Sequence, residues 1–87
     1  MTKVEIENEI EKLRKELDAA VETCKSMGCF VNDKEFMKLR HTYSLEQCSA
    51  HIKMMCCISE LNYQLRCLAK KNHVEFTNDM LCHINLF

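Results

Sequence analysis

The chain has 87 residues with one glycine, no proline and seven cysteines, and 47% of it is hydrophobic. Twelve Lys+Arg against thirteen Asp+Glu leave a formal net charge of −1, so no global field favours nucleic acid or an anionic membrane surface. The apolar fraction excludes a disordered chain, and the length sets one small domain that buries roughly 60–65% of its unfolded surface.

Proline removes a backbone donor and clashes inside a helix, and glycine costs a helix backbone entropy. A sequence that admits neither except at Gly28 predicts an all-α fold, with two long helices meeting in a hairpin turn over 28–32. The first helix is predicted over 3–27. Ile6, Ile10, Leu13, Leu17, Ala20 and Cys24 recur at helical spacing and draw one seam along it, while Glu5, Glu7, Glu9, Glu11, Lys12, Arg14 and Lys15 occupy other faces. Thr2 with Glu5 forms a capping pair at its start, and Gly28 can take the left-handed conformation that closes it.

A second helix is predicted over 33–71. Asn32 supplies the cap, Glu35 stands three residues on, and Val31 and Phe36 occupy the staple positions. Its apolar stripe runs through Phe36, Leu39 and Tyr43, then Leu45, Cys48, Ile52 and Met55. A second seam follows at Met54, Ile58, Leu61, Leu65 and Leu68. A stripe that changes face contacts more than one neighbour, and Ser44-Leu45-Glu46-Gln47 offers a capping box where the helix could break and restart. Beyond Lys70-Lys71-Asn72 a short C-terminal helix is expected over 77–86.

Lengths connect these elements to a function. The first helix spans about 36 Å and an unbroken second one about 57 Å, at ~1.5 Å per residue. Antiparallel pairing then leaves the last third of the second helix uncovered. Met54, Ile58, Leu61, Leu65 and Leu68 are therefore the candidate partner-binding residues, and the expected partner is a protein, with a second copy of the chain the simplest.

Reactive groups offer no complete site. His41, Cys48 and His51 share one helical face, but the closely spaced ligand pairs of zinc motifs are missing. Cys57 and Cys67 stand at the spacing of twin-cysteine hairpins of the mitochondrial intermembrane space, without the matching pair that fold needs. Cys48/His51 and Cys82-His83 are the Cys-His pairs a nucleophile would require, and a hairpin this small provides little enclosure for them. No catalytic residue, metal or cofactor is assigned. The longest apolar run, Met54–Ile58, is far short of the roughly 20 residues of a membrane span. With an acidic N-terminus and cysteines placed as small buried hydrophobes, the expected setting is cytoplasmic and reducing.

The runs Glu9-Ile10-Glu11-Lys12-Leu13-Arg14-Lys15-Glu16-Leu17 and Asp33-Lys34-Glu35-Phe36-Met37-Lys38-Leu39, joined through Gly28, resemble the sporulation-regulating aspartyl-phosphate phosphatases of spore-forming bacteria. The resemblance covers roughly residues 6–52 and implies a helical hairpin that docks on a response regulator and removes its phosphate. That family's second helix carries Ser-Gln-Glu-Leu-Asp after the lysine-leucine pair, where this sequence has Arg40-His41-Thr42-Tyr43-Ser44. The acidic and amide groups are gone, so no catalytic residue carries over. The expected function is a non-enzymatic, self-associating interaction module, with a divergent phosphatase as the alternative.

Overall fold

The computed structural model describes residues 2–77, and among these it is all-α, with three α-helices and no strand. The C-terminal helix expected over 77–86 falls almost wholly outside the described residues.

Helix α1 spans Lys3–Met27. The Thr2 hydroxyl accepts from the Glu5 backbone N–H at 3.2 Å, satisfying one of the orphan donors of the first turn. At the other end Gly28 sits at φ 72°, and the Cys29 N–H reaches back to the Cys24 carbonyl at 2.9 Å. A β-carbon on Gly28 would meet nothing within 4 Å, so the backbone angle alone calls for glycine there.

The helix predicted over 33–71 is two helices. Helix α2 covers Asp33–Leu39, a 3-10 turn follows at Arg40–Thr42, and α3 covers Leu45–Lys71. Tyr43 and Ser44 are extended, at ψ 146° and 165°, which turns the chain between them. Ser44 and Gln47 then form a complete capping box: Ser44 N–H donates to Gln47 Oε1 at 2.8 Å, and Gln47 N–H donates to Ser44 Oγ at 3.1 Å. The same Gln47 side chain donates to the Met27 carbonyl at 2.8 Å, tying the start of α3 to the end of α1.

That tie, and the cavity at the far end that Ile6 lines together with Gln64 and Cys67, make α1 and α3 antiparallel. After the break α3 runs about 39 Å against about 36 Å for α1, so the two match in length. Ile6, Ile10, Leu13, Leu17, Ala20 and Cys24 of α1 close on Met54, Cys57 and Leu61 of α3, with Cys29 completing the core beside the turn. Each large apolar side chain buried this way stabilises the fold by about 1.5–3 kcal/mol.

Helix α3 ends as α1 does. His73 takes the left-handed conformation at φ 55°, and the Val74 N–H donates to the Ala69 carbonyl at 2.9 Å. Asn72 is the cap residue, at φ −89°, and the left-handed turn comes one residue later.

Candidate functional site

The five residues assigned to a partner from sequence lie along the hairpin's own core. Met54 and Leu61 are fully buried against α1, while Ile58, Leu65 and Leu68 are half-buried and pack on the edge of the same cluster. The length argument behind that assignment assumed an unbroken second helix. The break at 40–44 removes the overhang, and α1 covers the seam.

What stays open is the other stripe. Folding back at the break lays α2 across the outer face of α3, so that Phe36 stacks on His51 with ring centroids 3.9 Å apart and on Tyr43 at 5.4 Å. In a continuous helix Phe36 and His51 would be about 22 Å apart. Phe36 is buried by this contact, and α2 becomes one wall of an apolar groove whose floor is α3. Met37, Leu45, Ile52 and Tyr63 line it, and they are four of the seven large apolar side chains exposed among the described residues. Leu45 is 87% exposed, Tyr63 61% and Ile52 55%. A surface so enriched in open apolar side chains marks a docking site more often than a solvated face.

His51 lies under this groove at 1% exposure. Its Nε2 stands 3.5 Å from Asp33 Oδ1, and its Nδ1 is buried without a hydrogen-bond partner. Cys48 lines the same groove, yet the unpaired Nδ1 means that no thiol–imidazole hydrogen bond forms between them. The imidazole is held by stacking, which suits a packing residue and leaves the nucleophile–base geometry unmade. His41 is exposed on the 3-10 turn, away from the stacked pair. No group of three metal-binding side chains occurs among the described residues.

The six described cysteines are free thiols. Cys24 and Cys29 sit at the two positions that touch in this type of helix ending, and both are completely buried. Burial first, and then the adjacent Cys29, push the Cys24 thiol up from 9.0 to about 11. Cys57 is raised in the same direction, first by burial and then by the Glu16 carboxylate. Both stay protonated at neutral pH and are poor nucleophiles. Cys56, by contrast, is exposed on the groove. The segment Arg40–Thr42, where the phosphatase resemblance would place a helical signature, folds as the 3-10 turn with His41 and Arg40 exposed.

No helix among the described residues is long and apolar enough to cross a membrane. The class these features define is a small all-α protein with one closed seam and one open groove. Comparison with known proteins finds no family, no curated protein and no solved structure that matches the chain.

Proposed function

We propose that the protein is a non-enzymatic helical interaction module that receives an amphipathic helix in the groove between α2 and α3. The observation that carries this reading is the row of exposed apolar residues Leu45, Ile52 and Tyr63 along one face of α3, walled on one side by Met37 of α2. Grooves of this kind hold a helix by its apolar stripe, and the flexible Met37 and Met55 side chains can fit themselves to it. The imidazole beneath the groove is buried and stacked with its Nδ1 unpaired, so the nearby Cys48 has no hydrogen-bonded base there, which supports a binding role over a chemical one.

A photo-crosslinking amino acid placed at Ile52, with a control at Glu11 on the outer face of α1, tests the reading in cells that express the protein natively. The expected result is a discrete protein adduct from position 52 and none from position 11. Equal adducts from both, or none from position 52, would remove the groove as a docking surface.

A further inference from the structure

The cavity at the far end of the hairpin has a volume of about 630 Å³, within the range of small-molecule sites. Ile6 of α1 lines one side, and Tyr63, Gln64, Lys70 and Lys71 of α3 line the other, with His73 just beyond that helix. Its polar groups lack partners of their own. Gln64 is 6% exposed, yet its Oε1 is buried without a hydrogen bond, where a buried amide ordinarily finds one. Lys70 and Lys71 pair with no carboxylate among the described residues. Nor does capping use up their ammonium groups. The carbonyls of Leu68, Ala69 and Lys70 already accept from the backbone N–H groups of Asn72, Val74 and His73.

No aspartate or glutamate lines the cavity. On the first turns of α1, Glu5 accepts from the Thr2 hydroxyl, Glu7 pairs with Lys3, and Glu9 is not a lining residue. Glu60, one turn before Gln64, lines the groove beside α2 instead. A concave site with two unanswered cations, an unpartnered amide and no acid is complementary to an anion. We infer that this cavity binds a small organic anion, with a carboxylate or phosphate at Lys70 and Lys71, a hydrogen-bonding group on the Gln64 amide, and an apolar part on Ile6 and the Tyr63 ring. A half-turn of the amide exchanges its oxygen and nitrogen, so Gln64 can accept from the ligand or donate to it. Lysine is a point charge that serves carboxylate and phosphate alike. The site is separate from the groove, with which it shares only Tyr63.

The test is an NMR titration of the isotope-labelled, full-length protein in reductant at low salt, with circular dichroism on every variant. Two anions serve as probes, adenosine monophosphate and N-acetyltyrosine, each beside its uncharged counterpart, adenosine and N-acetyltyrosinamide. Inorganic phosphate is the fifth probe. At least one of the two organic anions should shift the Gln64 side-chain amide together with the backbone signals of Lys70 and Lys71. Which of them does so tells phosphate from carboxylate. Its uncharged counterpart should bind about tenfold more weakly or not at all, the loss of one charge-assisted contact. Lys71→Glu should weaken the anion by at least about tenfold with helix content unchanged, while Lys34→Glu on α2 should leave it as it was. Gln64→Leu deletes an amide that has no partner, so it should fold at least as stably as the wild type, and it should bind the anion several-fold more weakly. The inference is overturned if neither organic anion moves the Gln64 amide at about 10 mM, a level that would reveal even millimolar affinity. Binding indifferent to Lys71→Glu or to Gln64→Leu overturns it too. So does inorganic phosphate that binds as tightly as the organic anion, since the lysines would then hold a counterion only.

Discussion

On its inner face α3 sets Met54 and Leu61 against α1 with no exposure, while on its outer face Leu45, Ile52 and Tyr63 stand open beside α2. Both stripes recur at helical spacing and carry comparable apolar side chains. Their different fates come from geometry at a distance. The break at Arg40–Ser44 makes α3 the length of α1, so the inner stripe is covered from end to end. The seven residues of α2 cover only the first part of the outer stripe. Apolar periodicity thus marks which faces of a helix need cover, and the lengths of the neighbouring elements decide which of them receive it inside the chain.

The sharpest way to break this comparison is to cut into the inner face. Leu61→Ala removes a fully buried side chain from the middle of the α1–α3 seam and leaves a cavity, at an expected cost of about 2–5 kcal/mol. Leu65→Ala, half-buried at the edge of the same cluster, should cost less. Urea denaturation followed by circular dichroism measures both. Equal losses, or a loss below about 1 kcal/mol at Leu61, would mean that the seam is not the core.

A smaller effect is expected at the break itself. Ser44→Ala deletes the hydroxyl that accepts from Gln47 N–H and should cost about 1 kcal/mol, measured by the same unfolding curve. Gln47 would keep its bond to the Met27 carbonyl, so α3 should stay tied to α1. No change in stability would show that the capping box does not hold the break in place.

Local signals were readable where the physics is local. Thr2, Asn32 and Ser44 each accept from a backbone N–H three residues on, as their residue types and spacing indicate, and Gly28 takes the left-handed angle that few other residues tolerate. The seam of α1 was readable as well, since all six of its apolar positions are buried. The stacking of Phe36 on His51 was not, because it joins two helices across a reversal whose direction no period encodes. That contact covers only the first part of the outer stripe, while the break at Arg40–Ser44 lets α1 cover the inner one. A length argument made without the break assigned Met54, Ile58, Leu61, Leu65 and Leu68 to a partner and passed over Leu45, Ile52 and Tyr63. The end of α3 falls at Lys71, as the sequence indicates, but the left-handed histidine beyond it is held by backbone bonds to Lys70 and Ala69, and its type gives little warning of it.

The smallest expected effect is also the most discriminating. Ile52 is 55% exposed, so replacing it with glutamine removes little burial within one chain, and glutamine suits a helix at least as well. In dilute protein Ile52→Gln should therefore unfold within about 0.5 kcal/mol of the wild type. If copies of the chain associate through this face, mass action changes that balance, because association draws the equilibrium away from the unfolded chain. The midpoint of wild-type unfolding should rise with protein concentration between about 1 and 100 µM, while that of Ile52→Gln should rise less or not at all. The two curves then coincide at low concentration and separate at high concentration. A variant that is destabilised equally at both ends would place Ile52 in the core of a single chain, and the distinction between a closed inner face and an open outer face would be lost.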